Sequence, residues 1–410
     1  MAILRVEVCI VGAGPVGATL ACRLAAAGVP TALIDRAPLP PMEHPDFDGR
    51  AYALAAGIRP LLDDAGLWRR LPEPPCPIAE IRVTDGRIGQ KASPLFLHFD
   101  QDTLGAGPFG WMTEARHLRL ALNARLHDLP GLALFAPATA TIAFPPPAAP
   151  HAGGDAVRVQ VADGPTIEAQ LVVAAEGRES PLRRQAGIPV TRWPYRQSAI
   201  VCAVAHEKPH HNVALEHFLP QGPFAQLPMG PTEDAADVSA LVWTDRPDRV
   251  ARLMALPEAP FAAELARRLG DHLGILRPIG RRWSYPLSAL FAQRFTAPRL
   301  ALVGDAAHGI HPIAGQGLNL GFRDVMALAN LIIHAEGDVG SPALLAAYQR
   351  QRRPDTLLML AATDALDRLF SSDLPPLRLA RDLGLAAVQR LPPLKRFFTR
   401  RAMGIAGVPG

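Results

Sequence analysis

The stretch from Gly304 to Gly317 contains residue types that could bind a flat polar ligand. Asp305 follows the apolar run 300–303, which predicts a buried strand, and a carboxylate at a strand end can accept hydrogen bonds from ligand hydroxyls. Gly315 and Gly317 let the backbone approach such a ligand without side-chain collision. The helical pattern that follows would direct free N–H groups and a partial positive charge at the ligand. We therefore expect a ligand site at this junction.

A second glycine turn lies near the start of the chain. The apolar run 6–11 predicts a buried strand. It leads into a Gly-x-Gly-x-x-Gly motif, formed by Gly12, Ala13, Gly14, Pro15, Val16 and Gly17. A helical pattern follows, and the next predicted strand ends in Asp35, beside Arg36. Because an acid at about this spacing binds a ribose in dinucleotide folds, the motif predicts such a fold.

A third loop has an acidic residue followed by glycine. Glu176-Gly177 ends the predicted strand 166–173, which follows the alternating pattern 157–161. Arg178 and Arg183 lie just behind it. It is a second loop, besides that of Gly304-Asp305, in which a carboxylate and a glycine stand together at a strand end.

Arg50 opens a stretch that predicts a helix through Leu62 to Trp68. A guanidinium there suits bidentate contacts to phosphate oxygens, and a solvated arginine at a helix start is the alternative. From Pro342 onward the pattern is helical, and Pro354 predicts a break.

Composition limits the classes of protein that fit. The 410 residues suffice for two or three domains, and 49% hydrophobic with 20% charged residues indicates a globular chain. A net charge of +4 gives no support for a nucleic-acid partner. The four cysteines are scattered, which favours a reducing compartment, and no signal peptide or membrane-spanning run is visible. We expect a cytoplasmic protein, with a peripheral position at the inner membrane left open.

The pair His308-x-x-His311 raises the question of a metal site. Neither cysteine nor carboxylate nearby completes a usual zinc ligand set. We therefore expect no metal.

Three motifs together carry a family resemblance: Gly12–Gly17 with Asp35, the Glu176-Gly177 loop, and the segment from Gly304 to Asn319. They resemble the single-component flavoprotein aromatic hydroxylases, the group of para-hydroxybenzoate hydroxylase. The sequence HPIAGQGLNLG, at 311–321, is similar more narrowly to the ubiquinone-biosynthesis hydroxylases, as are the segments 218–224 and 402–404. The likeness covers nearly the whole chain.

The resemblance implies FAD as cofactor and NADPH or NADH as reductant. It places the FAD pyrophosphate at the first glycine motif and the ribose at Asp35. Asp305 would bind the ribityl chain, and the backbone amides of Leu318 and Asn319 would hold the flavin ring. The remaining cofactor contacts that it implies are Arg36, Arg50, Arg116, Glu176, Gly177, Pro312 near the reacting face, Gly315 and Gly317.

The resemblance also implies a fold class: α/β, with a Rossmann-like FAD-binding domain interleaved with an antiparallel substrate domain, plus C-terminal helices. We expect the FAD-binding domain at 1–75, 106–190 and 285–345, the substrate domain at 76–105 and 191–284, and a helical region at 346–410. These boundaries follow the changes from mixed helix-and-strand patterns to strand-and-turn patterns.

The implied reaction is hydroxylation of the aromatic ring of a polyprenylated phenol in ubiquinone biosynthesis, through reduced flavin, dioxygen and a C4a-hydroperoxyflavin. Such a site needs apolar walls that exclude water. The candidates are Phe218, Phe224, Leu227 and Met229, whose alternative is ordinary sheet core.

Basic and aromatic residues alternate between 390 and 401, which fits a helix at a membrane surface or a partner, or a helix packed on its own domain. Two other functions remain open: hydroxylation of a small soluble aromatic acid, and a non-catalytic FAD-binding subunit of a biosynthetic complex. The oligomeric state, the ring position and the prenyl length are not indicated by the sequence.

Overall fold

The computed structural model describes residues 3–39, 49–86, 88–89, 97–104, 107–145, 156–233, 235–311, 315–370 and 403. Two sequence predictions fall outside these ranges. They concern the place of Pro312 and the role of the basic and aromatic residues between 390 and 401.

The described residues contain the strands of three sheets. In chain order they are β1 (Ile3–Val11), β2 (Thr31–Ile34), β3 (Ala51–Ala55), β4 (Cys76–Ile78), β5 (Glu80–Asp85), β6 (Leu97–Asp100), β7 (Gly110–Glu114), β8 (Leu132–Phe135), β9 (Ala140–Ala143), β10 (Val157–Val161), β11 (Thr166–Ala174), β12 (Val190–His206), β13 (Val213–Leu219), β14 (Gly222–Met229), β15 (Val238–Asp245), β16 (Leu276–Ala292), β17 (Thr296–Ala297), β18 (Leu300–Leu302) and β19 (His308–Gly309). The helices are α1 (Pro15–Ala26), α2 (Arg59–Asp64), α3 (Gln101–Leu104), α4 (Ala115–Asp128), α5 (Pro181–Gln185), α6 (Pro247–Met254), α7 (Glu258–Leu269), α8 (Gln316–Ile333) and α9 (Pro342–Phe370). In the part of the chain described, no helix combines the length and apolar character needed to cross a membrane.

The first sheet has the N-terminal strand near its centre. Its order is β17-β18-β11-β1-β2-β8, with β10 attached to β11 and β9 to β10. Strand β1 pairs in parallel with β11 and β2, and Val8, Cys9 and Ile10 have no exposed surface. Burial on both faces explains the nearly unbroken apolar run at 6–11. Because β1, β11 and β18 are parallel, the turns that follow them meet at one edge of the sheet.

The second sheet has the order β19-β16-β12-β15-β14-β13-β5-β6. Its neighbours pair antiparallel except β13 and β5, which are parallel. The long strands β12 and β16 pair along most of their length, so β16 runs through the domain boundary expected at residue 284. The predicted fold class is confirmed, because a parallel sheet of dinucleotide-binding type is interleaved with an antiparallel one. The division into domains stays a prediction.

The predicted helix that starts at Arg50 is wrong in its first part. Residues Ala51–Ala55 form β3, which pairs antiparallel with β7 in a three-stranded sheet completed by β4. Helix α2 begins only at Arg59, with Pro60 in its first turn. The strand forms because β7 supplies a partner from a distant part of the chain, which a local pattern does not contain.

The predicted break at Pro354 is also wrong, because α9 continues through it. Proline inside a helix removes a backbone donor and costs about 3 kcal/mol. Tertiary contacts hold the helix around this position. Arg352 donates from Nε to Asp324 at 2.7 Å and, across Pro354, from Nη1 to Asp355 at 2.7 Å.

Candidate active site

The turn between β1 and α1 uses its glycines in different ways. Gly12 has a φ of +107°, and a Cβ there would lie 2.4 Å from the carbonyl oxygen of Ala175. A Cβ on Gly17 would lie 2.0 Å from the carbonyl oxygen of Gly12. Gly14 precedes α1 without a side-chain cap, and nothing lies within 4 Å of its Cβ position. Two glycines therefore permit close packing, and the third leaves the helix N-terminus open to an anion.

Asp35 supports this turn from the end of β2. Its Oδ2 accepts a 2.6 Å hydrogen bond from the N–H of Ala13, and its Oδ1 accepts one of 2.8 Å from Ala37. Each carboxylate oxygen accepts more than one hydrogen bond, so Asp35 can hold the turn and still bind ribose hydroxyls. The neighbouring Arg36 is exposed.

The Gly304 turn meets the first glycine turn through Val16. Gly304 has a φ of +58°, and a Cβ there would lie 3.2 Å from Cγ2 of Val16. A Cβ on Gly321, in α8, would lie 2.7 Å from the same methyl group. The start of α1 is thereby packed against the Gly304 loop and α8.

One cavity of about 510 Å³ extends between the two turns. Gly14 lines it from the first turn and Gly315 from the second. The structure thus brings together two motifs that lie far apart in the chain. The predicted site residues that line the cavity are Gly14, Pro15, Val16, Gly177, Leu227, Asp305, Gly315, Gly317 and Leu318.

Asp305 lies where the strand β18 has ended, with its side chain accessible from the cavity. Protein surrounds the carboxyl on its other sides, so desolvation raises its pKa, and Arg178 and His308 oppose this shift only in part. A carboxylate in this position lacks the hydration it would have in bulk water. It can regain hydrogen bonds from the hydroxyl groups of a ligand in the cavity.

Asn319 connects the two sides of the cavity through its side chain. Its Nδ2 donates to the carbonyl oxygens of Ala53 at 2.8 Å and Gly315 at 3.3 Å, and its Oδ1 accepts from the N–H of Ala55 at 2.9 Å. The side chain is buried. It therefore fixes β3 against the start of α8.

The Glu176-Gly177 loop separates its two residues by function. Gly177 has a φ of +83° and lines the cavity. The carboxylate of Glu176 turns away to α5, where its Oε2 accepts from Ser180 Oγ at 2.5 Å and from the N–H of Leu182 at 3.2 Å. Burial raises the pKa of Glu176. The glycine is thus placed for a cofactor, whereas the acid closes the start of a helix.

Arg178 is a cavity residue that the sequence analysis noted but did not assign to the site. Its Nη2 donates to the carbonyl oxygen of Ser288 at 2.6 Å and to Ser288 Oγ at 2.8 Å. A Cβ on Gly309 would lie 2.5 Å from Nη1, so that glycine makes room for the guanidinium. A cation after an acidic–glycine loop was the available signal, but its partners lie more than a hundred residues along the chain.

Two predicted arginines are engaged elsewhere. The guanidinium of Arg50 lies over the ring of Trp283, 4.7 Å from its centroid. Arg116 forms an ion pair with Glu114. Neither arginine, nor Arg36, is among the described residues that line the cavity.

The predicted substrate wall is only partly present. Leu227 lines the cavity, but Phe218 and Met229 lie in one hydrophobic cluster of the second sheet and Phe224 in another. Phe224 is fully buried and lies 6.0 Å from the ring of Trp243. Residues at successive positions of a strand face opposite sides, so Phe224 points away from the face that carries Leu227. These three side chains pack in hydrophobic clusters of the second sheet, and their contact with a substrate stays a prediction.

A buried ion network supports the Gly304 loop from behind. Asp324 accepts from the N–H of Gly304 at 2.9 Å, pairs with His308 Nε2 at 2.6 Å and accepts from Arg352 Nε at 2.7 Å. Burial alone would raise the pKa of Asp324, but His308 and Arg352 outweigh it and lower the pKa. Asp324 was missed by the sequence analysis, because its spacing is that of an ordinary helix residue. His308, considered there as a metal ligand, instead belongs to this network.

The residues present fit FAD. The open N-terminus of α1 suits a pyrophosphate, and Asp35 suits a ribose. Asp305 is accessible from the cavity and suits the ribityl hydroxyls. Nothing lies within 4 Å of a Cβ position on Gly177 or Gly317, so a flat ring can approach the backbone there.

Comparisons with known proteins define the class. The chain matches the family described as FAD binding domain over residues 5–90 and 149–363. The crystal structure of p-nitrophenol 4-monooxygenase PnpA from Pseudomonas putida DLL-E4 is similar in fold, with a TM-score of 0.76, 18% sequence identity and full coverage of both chains. Fold, glycine turns and family match together define an FAD-binding protein.

Curated relatives narrow the class. The chain is 50% identical to "Ubiquinone hydroxylase UbiL" of Rhodospirillum rubrum, over 97% of this chain and 89% of that one. It is 34% identical to "3-demethoxyubiquinol 3-hydroxylase" of Escherichia coli, over 97% of this chain and 98% of that one. The chain belongs to the ubiquinone-biosynthesis hydroxylases, a family of FAD-dependent monooxygenases.

Proposed function

We propose that this protein hydroxylates the aromatic ring of a polyprenylated phenol in ubiquinone biosynthesis, with NADPH or NADH as reductant and dioxygen as oxidant. The names of its relatives support the substrate class. The lining of the cavity supports the same substrate class independently.

The wall that the second sheet contributes to the cavity is apolar. Its side chains include Val201, Leu227, Ala240 and Val242. Among the described lining residues the one permanent cation is Arg178, which is held by Ser288 and whose charge already acts on the Asp305 carboxyl. A soluble aromatic acid would need a cation for its carboxylate, because an unpaired charge is costly to desolvate. A neutral phenol with an apolar tail has no such requirement, and this observation carries the proposal.

The protein's part in the reaction is to bind, orient and exclude water. Bound FAD, once reduced, supplies the chemistry that activates dioxygen for transfer of one oxygen atom to an electron-rich ring. The glycine motif and Asp35 would hold the adenine nucleotide part, and Asp305 the ribityl chain. The backbone of Leu318 and Asn319 would hold the ring. The remaining proposed contacts are Arg36, Arg50, Arg116, Glu176 and Pro312.

The apolar wall would protect the oxygen-transfer step, since water in such a site leads to loss of the oxidising equivalent. In this account the substrate domain consists of 76–105 and 191–284, and it covers the FAD-binding domain at the cavity. Contact of the region 346–410 with a membrane surface or a partner remains a prediction.

The test is turnover with two kinds of substrate. FAD-loaded protein, NAD(P)H and labelled dioxygen are supplied with a prenylated phenol or with para-hydroxybenzoate. We expect one labelled oxygen in the prenylated product and no hydroxylated acid. Hydroxylation of the acid alone would contradict the proposal. If NAD(P)H is not oxidised with either substrate, and bound FAD is retained but not reduced, the result would instead favour a non-catalytic FAD-binding subunit.

A further inference from the structure

A row of side chains crosses five strands of the second sheet on the face that carries the cavity wall. The paired residues are, in order, Val201, Val242, Ala225, Glu216 and Val83. Residues paired across strands share a face, and their Cβ atoms lie about 5 Å apart. Val201 and Val242 line the cavity. Glu216 therefore lies on the same face, two strands from Val242 and on the strand next to that of Leu227.

Glu216 occupies an apolar setting. Its side chain is 9% exposed. The flanking residues on the same face, Ala214 and Phe218, belong to a hydrophobic cluster that includes Met112 of the cavity lining. Among the described residues, no hydrogen bond or ion pair reaches its carboxyl, and desolvation is the cause that shifts its pKa. A buried carboxyl without a partner is costly to the fold, so its presence beside a ligand cavity calls for a role with the ligand.

We propose that the carboxyl of Glu216 accepts a hydrogen bond from the ring hydroxyl of the phenol substrate. The inference rests on the proposed function and names a residue that recognises the substrate. Ala225, which separates Glu216 from Val242 in this row, carries only a methyl group. A hydrogen bond to a carboxylate increases the electron density of the phenol ring, which favours attack on an electrophilic oxygen. The same carboxylate would repel an acidic substrate.

The electrostatic setting is consistent with this role. Burial raises the pKa of Glu216 to about 7. Asp85 of β5 shares the sheet face, and the small sheet packed against β14 contributes Cys76 and Glu114. Burial raises the pKa of Cys76 to about 11, so it is neutral, and Glu114 is paired with Arg116. Glu216 therefore changes its charge near neutral pH.

The first test compares the FAD-loaded variant Glu216→Gln with Glu80→Gln. Glu80 lies on β5 with its side chain on the opposite sheet face, paired with Arg82 and His98. The readouts are FAD content, hydroxylated product per NAD(P)H oxidised, and the pH profile of product formation. We expect Glu216→Gln to retain FAD, to form roughly tenfold less product per NAD(P)H, and to lose the rise in rate that the wild type shows as Glu216 ionises. Equal coupling and an unchanged pH profile would overturn the proposal.

The second test does not depend on turnover. A short-chain prenylated phenol and its methyl ether are titrated into the FAD-loaded protein, and binding is followed by flavin fluorescence. We expect the wild type to bind the phenol roughly tenfold more tightly than the ether, and Glu216→Leu, which has no hydrogen-bond acceptor, to bind both alike. A wild type that does not distinguish them would refute the role of Glu216. Discrimination without hydroxylation would refute the proposed function alone.

Discussion

Val16 and Gly321 are so closely packed that a Cβ on Gly321 would lie 2.7 Å from Cγ2 of Val16. Val16 belongs to the first glycine turn and Gly321 to α8, so this contact fixes the distance between the two halves of the cavity. The same Cβ would lie 3.3 Å from Cα of Gly304. Valine is stiff about χ1 and cannot swing away without cost.

Replacement of Gly321 by alanine should therefore lower both stability and FAD affinity. Overpacking of this kind costs about 1–3 kcal/mol. Gly317→Ala is the matched control, because nothing lies within 4 Å of its Cβ position although it lines the same cavity. We expect the control to keep the melting temperature of the FAD-free protein while weakening FAD binding. Thermal unfolding with and without FAD measures both effects, and equal melting temperatures of the two FAD-free variants would show that the contact is not tight.

Asp324→Asn should destabilise the protein strongly. The change removes the charge that faces His308 and Arg352, and breaking a buried ion pair from one side costs about 3–5 kcal/mol. The pKa of Asp324 is lowered in the folded protein, so the wild type holds this stability at neutral pH and loses it as the pH falls below the ordinary range of an aspartate. Urea unfolding at neutral and acidic pH should show the two proteins converging in acid. A constant difference across pH would argue against an ionic role.

Asp305→Asn should separate stability from cofactor binding. The pKa of Asp305 is raised, which means that the fold penalises its charged form, so the FAD-free variant should be more stable than the wild type at neutral pH. Loss of a charged hydrogen-bond acceptor should weaken FAD binding roughly tenfold. Thermal unfolding of the FAD-free protein and fluorescence titration with FAD check the two effects. A variant that binds FAD as tightly as the wild type would remove Asp305 from the site.

Glu216→Gln should be more stable than the wild type by an amount that depends on pH. The pKa is about 7 in the folded protein against an ordinary value of 4.5. Below the ordinary value the residue is neutral in both states, and as the pH rises towards 7 the unfolded state gains from ionisation. The variant should therefore become more stable than the wild type across this interval. The difference in their free energies of unfolding should reach about 3 kcal/mol at its upper end. Denaturant midpoints at several pH values test this, and a flat difference would show that Glu216 does not titrate as described.

The sequence predicted the features that depend on local spacing. The Gly12–Gly17 turn, Asp35 and the start of α8 are each built from neighbouring residues, and turn chemistry limits what they can form. The contacts of Asn319 with Ala53 and Ala55 join residues far apart in the chain, and no local pattern indicates them.

A second limit of prediction from sequence concerns the wall that the second sheet contributes to the cavity. Phe224 and Leu227 are three residues apart on one strand, so the sequence predicts that they face opposite sides of the sheet. It does not predict which side meets the cavity. That choice depends on how α6 and α7 pack on the sheet, and Trp243 and Phe261 take Phe224 into that core. The strand β3 was missed for a related reason, since its partner β7 follows it at a distance.

A crystal structure of the FAD-bound protein would locate the whole cofactor. We expect one FAD that spans both glycine turns, with its pyrophosphate at Gly14 and its ring against the backbone of Gly315 to Asn319. The exposed face of the ring should be directed at the wall formed by Val201, Leu227 and Val242. An FAD bound at one turn only, or a protein that cannot be loaded with FAD, would show that the two turns do not form one cofactor site.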